Sequence, residues 1–351
     1  MNNQSGVTLQ ISLAPTDLPT ARYTLPHQLR QWAGQVDEVL LVVDLHQSRG
    51  RFAEGWKERL PGLRVLIEEC CAKYSHAHTV DVDYSTEVAQ SLSTTFFNGQ
   101  PLPSKDWNGG PFYSYFFGLY SANHKYVFHM DADMMYGGGS TTWVTEAVQL
   151  LSERPDIFIC SPLPGPPTSD GCLRSQVLEQ EAFSSLAFCA NSLSSRHFFM
   201  DRDRFSTRIR QLSLTQPPRH RIWQALVDGN PPYESPEVIF SRAMQKHGLK
   251  RIEFLGKEPG SWSLHPPYHS QLFYDRLPKV IQQIEANDIP EAQRGCHDIN
   301  NSMVDWTGAR KSINQRVMKH LKLALQRFQL LRFEIRCRRP VPGSCVRDWW
   351  A

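Results

Sequence analysis

The sequence predicts an α/β protein, a mostly parallel sheet covered by helices on both faces. Three observations predict it. Short apolar, β-branched runs alternate with stretches of helical periodicity. Several of those runs are apolar throughout, as strands buried on both faces must be. The length of 351 residues is enough for one large α/β domain with an appendage, or for two domains.

The elements follow in order. "VTLQISLA" (7–14) and "EVLLVVDL" (38–45) read as strands, and "LPHQLRQWAGQV" between them carries Leu, Trp and Val at helical spacing. "GLRVLIEEC" and "AHTVDVDYS" add weaker candidates. "PFYSYFFGLYSANH" (111–124) predicts an aromatic helix with Pro111 near its first turn, and "KYVFHM" a buried strand. After "DADMM" and Gly137, Gly138 and Gly139 comes the helix "TTWVTEAVQLLSE", with Trp143, Ala147 and Leu150 on one side. "DIFICSPL" (156–163) predicts another strand, ended by the proline-rich "PLPGPPTSDG", which should stay out of a sheet. In "SPEVIFSRAMQKHG", Ser235 suits the N-cap, Pro236 the first helical position and Gly248 the stop. From Arg310 to Arg339 an apolar stripe from Ile313 to Ile335 runs beside ten lysines and arginines opposed only by Glu334. This predicts a basic amphipathic helix, either docked on the main domain or in peripheral contact with an anionic membrane surface.

Totals narrow the function classes. Apolar residues make up 40% and charged residues 21%, and a formal charge of +3 is too small to point to nucleic acid as a partner. The eight cysteines show no C-x-x-C pair or zinc spacing and read as reduced thiols. The amino terminus lacks a signal-peptide pattern, and no window reaches the roughly 18 to 20 apolar residues of a membrane span. A cytoplasmic protein is expected, peripheral to the inner membrane face if the basic helix binds there.

Three Asp-x-Asp triplets occur, and context separates them. Asp201 and Asp203 alternate with Arg202 and Arg204, which suggests charge pairing or a helix start; Asp81 and Asp83 alternate with valines, which suggests a strand's polar side or its end. Asp131 and Asp133 sit where the strand "KYVFHM" ends, and residues i and i+2 of extended backbone project to one side. In an open parallel sheet that edge is where ligands bind. The glycines that follow allow a sharp turn and leave room for a bulky ligand. Two carboxylates with open positions suit Mg²⁺ or Mn²⁺, which commonly binds a diphosphate at the same time. No Walker-type phosphate loop is present.

Taken together, "VTLQISLAPTDLP…EVLLVVDLHQS", the helix before "YVFHMDADM" and the later acidic helix start resemble the GT-A-fold nucleotide-sugar glycosyltransferases, most closely family 2, over roughly residues 7 to 270. The resemblance implies a GT-A-like, Rossmann-like domain over 1–275, with a nucleotide-binding half (1–140) and an acceptor half (141–275), and a helical basic extension over 276–351. It implies Asp44 as the acid that touches the nucleoside, Asp131 near ribose or metal, and Asp133 as a metal ligand. Glu237 stands where the family's general base would be, although Pro236 replaces the acid that usually precedes it; Glu234 is the alternative. A helix's first turn favours the ionised form that a base requires. In "GSWSLHPPYHS", His265 and, second to it, His269 are candidate metal ligands, and Trp262 either stacks on a sugar or fills the core. Lys105 is the candidate cation for the diphosphate, with Arg196 considered beside it.

The expected activity is transfer of a sugar from a nucleoside-diphosphate donor, UDP by preference, to a hydroxyl of a glycan, lipid-linked or small-molecule acceptor. Inversion is favoured and retention is left open. Two rival readings are a sugar-phosphate nucleotidyltransferase and a non-catalytic sugar-binding scaffold. The first usually has a glycine-rich loop after the first strand, absent from "SLAPTDLPTARY". The second is kept open by Pro236.

Overall fold

A computed structural model describes residues 4–47, 55–174, 176 and 178–309. The basic helix expected over 310–339 lies outside the described residues, as do Cys337 and Cys345. The other six cysteines are free thiols.

The first four long strands are β1 (Gln4–Leu13), β2 (Glu38–Val43), β3 (Ala77–Asp81) and β4 (His124–Asp131). They pair in parallel in the order β3-β2-β1-β4. The next elements are β5 (Met135–Gly137), β6 (Ile157–Pro164), β7 (Glu179–Gln180), β8 (Ala187–Ala190) and β9 (His197–Asp201). β10 (Lys250–Phe254) and β11 (Trp262–Leu264) complete the set. The sheet continues from β4 through β9, β6, β10, β8 and β7, with β9 antiparallel to both its neighbours and β10 parallel to β6. The expectation of a mostly parallel α/β sheet therefore holds for its nucleus, and the antiparallel strands gather in the second half.

Helices cover both faces. α1 (Leu18–Trp32), α2 (Trp56–Cys71) and, later in the chain, Trp143–Glu153 pack on one side around Leu25, Trp32, Phe128 and Phe199. α3 (Thr86–Phe97), α4 (Tyr113–Ser121) and the helix Pro236–Lys246 cover the other side around Phe97, Phe116, Phe198 and Phe240. In chain order the remaining helices are α5 (Trp143–Glu153), α6 (Arg202–Arg204), α7 (Arg219–Asp228), α8 (Pro236–Lys246) and α9 (Gln271–Glu285). α9 spans the expected boundary at 275/276 and packs Phe273, Leu277 and Val280 into a third cluster with Trp262 and Leu264.

Three local readings need correction and one needs extending. "GLRVLIEEC" is helical: Leu63, Ile67 and Cys70 are the buried residues of α2, a spacing of four and three that a strand would not produce. The helix read from 111 begins at Tyr113, and Pro111 precedes it. In α5 the reading needs extending: Leu150 packs partly buried against the core as expected, and Leu151 is the fully buried residue at the far end. The proline-rich run does enter the sheet, since Pro162 aligns with Phe254 and Pro164 with Ser263. It can do so because the residues between the prolines supply the donors: Leu163 N donates to Ser261 O at 3.1 Å and Gly165 N to Ser263 O at 3.0 Å. A proline is harmless in a strand where its missing N–H was not needed.

Candidate active site

The strand order 3-2-1-4 reverses direction between β1 and β4, the position at which open α/β sheets have their ligand crevice, beyond the carboxyl ends. Asp131 closes β4 opposite Ser12 of β1. Asp133 follows in the turn that returns as β5.

Polar groups on the inner side of α1 hold this turn from behind. Gln28 Nε2 donates to Asp131 O (2.9 Å) and Met134 O (2.8 Å), and Thr24 Oγ1 donates to Ala132 O. Tyr136 N donates to His27 Nε2 at 3.0 Å, so that nitrogen is the acceptor, and Nδ1–H then donates to Glu285 Oε1 at 2.8 Å. On the open side Asp131 N donates to Arg196 O at 2.7 Å. The backbone of the triplet is thus fixed from two sides while the side chains of Asp131 and Asp133 stay partly exposed.

The glycines that follow serve the fold. A Cβ on Gly137 would lie 2.1 Å from the Trp262 ring, and one on Gly138, at φ +92°, would meet Gly260 O at 2.4 Å. The turn is as sharp as expected, but the space at Gly137 is filled by this indole and not by a ligand. Trp262 is buried and forms core.

Two histidines reach Asp133 from the segment after β11. His269 Nε2 is 3.0 Å and His265 Nε2 3.5 Å from Asp133 Oδ2. His265 Nδ1 lies 3.5 Å from Asp298 Oδ1, and Arg196 Nη1 3.6 Å from the same oxygen. Burial raises the Asp133 carboxyl, but the neighbouring His265 and His269 outweigh it and hold the group well below the usual range. Burial likewise disfavours the charged form of His265, yet Asp133 and Asp298 bring its pKa up to about 8. Enclosure raises Asp131, only partly offset by His129. Asp17, at the start of α1, is pushed up to about 7 by burial, opposed by its bond from Ala14 N at 2.7 Å and reinforced by Asp133 and Asp131.

Asp133 Oδ1 is buried and accepts no hydrogen bond. Such an orphan oxygen, beside a second carboxylate and two imidazoles, is the donor chemistry that Mn²⁺ or Mg²⁺ takes. Among the described residues no three His, Cys, Asp or Glu side chains converge into a metal-holding group as they stand, and both imidazoles pair with Asp133 Oδ2.

Glu237 connects to this cluster through two residues, Ser195 and His129. Its Oε2 accepts from Ser195 N and Ser195 Oγ, both at 3.0 Å. Ser195 O in turn meets His129 Nε2 at 3.0 Å, and that nitrogen is 3.7 Å from Asp131 Oδ1. The buried Tyr115 ring, 4.9 Å from His129, has its hydroxyl pushed well up by burial and then by the charges of Asp131 and Glu237. Glu237 lies in the first turn of α8, with Ser235 at the N-cap position but making no side-chain cap bond. Glu234 is buried behind it, with Arg242 at 3.8 Å.

Asp44 follows β2 at the same edge. Its Oδ2 is 2.6 Å from Lys105 Nζ, both side chains being buried, and its Oδ1 accepts from Tyr84 OH and His46 N, each at 2.9 Å. Lys105 is therefore held by Asp44. The other two triplets are structural: Asp81 pairs with Arg64 at 2.6 Å, and Asp201 Oδ1 caps α6 by accepting from Asp203 N at 2.9 Å. A separate groove of about 550 Å³ lies at the opposite end of β4 beside α3 and α4 and holds none of these groups.

Sequence reasoning missed Asp17, His129, Ser195 and Asp298. Asp17 had a signal, since it lies just past the carboxyl end of β1; Asp298 comes from a distant segment, and nothing local marks it.

No family model matches the chain, and no curated protein matches it. Solved structures do. A 4-diphosphocytidyl-2C-methyl-D-erythritol synthase from Anaerococcus prevotii aligns at 12% identity and TM-score 0.29, over 57% of this chain and 71% of that one. S. aureus TarS aligns at 10% and 0.36, over 82% and 67%, and the mannosyltransferase PcManGT from Pyrobaculum calidifontis at 13% and 0.32, over 82% and 66%. With scores this low, the architecture rests on the sheet order described above, and the chemistry on the geometry of the crevice.

Proposed function

We propose that this chain transfers a sugar from a nucleoside-diphosphate donor to an acceptor hydroxyl. One observation carries the reading: the Asp131–Asp133 edge, the His265–His269 segment and the Glu237 helix turn meet at the switch point of a parallel sheet, where ligands of such sheets bind. Asp131, Asp133 and His265 would hold Mn²⁺ or Mg²⁺, which when bound offsets the charge of a departing diphosphate. Asp44 serves the nucleoside end, with Lys105 orienting its carboxylate. Arg196, partly exposed and beside Asp298, offers a cation at the same crevice. Glu237, fixed by the two bonds from Ser195, keeps its other oxygen for the acceptor proton, and the deprotonated hydroxyl attacks the anomeric carbon with inversion. The acceptor half is read as 141–275 and the donor half as 1–140.

The test is a thermal-shift screen of nucleotide sugars with and without Mn²⁺. A donor should raise the midpoint only with metal, Asp133→Ala should abolish that shift, and Glu237→Gln should keep it while losing turnover. An unchanged shift in Asp133→Ala would refute the site. Release of pyrophosphate from a nucleoside triphosphate would assign nucleotidyl transfer instead.

A further inference from the structure

The stretch from Cys296 to Asn300 lies beyond the boundary expected at 275/276, yet it runs alongside His265. His265 N donates to His297 O and Ile299 N to His265 O, both at 3.0 Å, so that His265 and Asp298 are partners in a parallel bridge. That register makes the two residues lateral neighbours. Other groups fix the stretch. The fully buried Gln293 donates through Nε2 to Cys296 O (3.0 Å) and Asp298 O (3.1 Å) and accepts at Oε1 from Asn300 N (2.8 Å), while Trp306 Nε1 donates to Ile299 O at 2.7 Å. The Asp298 carboxylate, about half exposed, makes none of these bonds.

The two nitrogens of His265 face two different carboxylates. Nε2 is 3.5 Å from Asp133 Oδ2, and Nδ1 is 3.5 Å from Asp298 Oδ1. Nδ1 is buried and has no other partner. The ring lies nearly parallel to that of His297, with 6.2 Å between centroids and 13° between planes. This contact limits the ring's tilt but does not decide which nitrogen carries hydrogen. A neutral imidazole has one N–H and one lone pair, and a carboxylate facing Nδ1 favours the hydrogen there and leaves the lone pair on Nε2. Arg196 Nη1, 3.6 Å from the same Asp298 oxygen, helps to hold that carboxylate in place.

We infer that Asp298 is a positioning residue for His265, fixing the imidazole with its Nε2 lone pair on the Asp133 side, where the divalent cation would bind. The inference rests on the reading of His265 as a metal ligand. Facing Nδ1 and not Nε2, Asp298 acts through the ring. A carboxylate behind a ligating imidazole sets its orientation and raises its basicity, and losing such a group costs about 10- to 100-fold in metal affinity.

The experiment is a titration of the full-length chain with Mn²⁺, followed by the electron paramagnetic resonance signal of the free ion. Asp298→Ala should weaken binding about tenfold. Asp298→Asn should restore most of it, because an amide oxygen still accepts from Nδ1–H. Far-ultraviolet circular dichroism of both variants should match wild type, since Gln293 and Trp306 hold the stretch without the carboxylate. On a His265→Ala background, Asp298→Ala should weaken binding no further. A further tenfold loss on that background would mean that Asp298 acts without the ring and would overturn the inference. Equal weakening by the alanine and asparagine variants would assign the effect to charge and not to orientation, which also overturns it. Wild-type affinity in Asp298→Ala would sink this inference alone, whereas a wild-type chain that binds no Mn²⁺ would refute the metal reading and the inference with it.

Discussion

Replacing Gln28 by Leu tests whether α1 is what holds the acidic turn in place. Gln28 Nε2 makes both of its bonds to that turn, at 2.9 Å to Asp131 O and 2.8 Å to Met134 O, from a fully buried position. Leucine fills a similar volume and donates nothing. Each buried carbonyl left without a donor costs about 1–3 kcal/mol. Part of this is offset, since the orphan Oε1 of Gln28 also disappears and an apolar group is buried in its place. A net loss of about 2–4 kcal/mol follows, read as a fall in the urea midpoint on the order of 1 M. The same variant should weaken the Mn²⁺-dependent thermal shift, because the backbone of Asp131 is freed on one side. A midpoint within about 0.3 M of wild type would show that the turn holds its own shape, and the account of α1 would be wrong.

Three further outcomes follow from the same geometry. The folded-state pKa of His265, about 8 against an ordinary 6.5, means its stabilisation is complete below pH 6.5 and is lost as pH rises through 8; over that window metal-free wild type should lose about 2 kcal/mol more than His265→Gln, whose remaining slope comes from Asp17, in urea titrations at each pH. Lys105→Met leaves the buried Asp44 carboxylate without its cation and should cost about 3 kcal/mol, with Asp44→Asn/Lys105→Met recovering part, both measured by denaturant unfolding. Gly137→Ala should lower the thermal midpoint far more than Gly139→Ala, because only the first drives a Cβ into the Trp262 ring, while the second carries just the penalty of φ +75°.

Strand and helix alternation was legible because burial on two faces forces continuous apolar runs, as in β2, where all six residues are buried. Where the reading failed, the pattern was short or depended on a partner. "GLRVLIEEC" carries apolar residues that suit either period, and only packing against the sheet shows which of them turn inward. The prolines of β6 lie in a strand because Ser261 and Ser263 accept from the residues between them. That fact belongs to a neighbouring chain segment a hundred residues away.

The sequence by itself determined that acids stand at a strand end followed by a glycine turn, and that an acid opens the helix at 236. Both are local matters of period, turn and cap. Only the tertiary structure decided which of three Asp-x-Asp triplets lies against histidines at the sheet's switch point, that Asp17 and Asp298 stand near it, and that Glu237 meets Asp131 across Ser195 and His129. It also decided that the room beside Gly137 belongs to Trp262. The reason is that distances between elements are set by strand order and by what packs between the strands. No residue carries that information in its immediate neighbours.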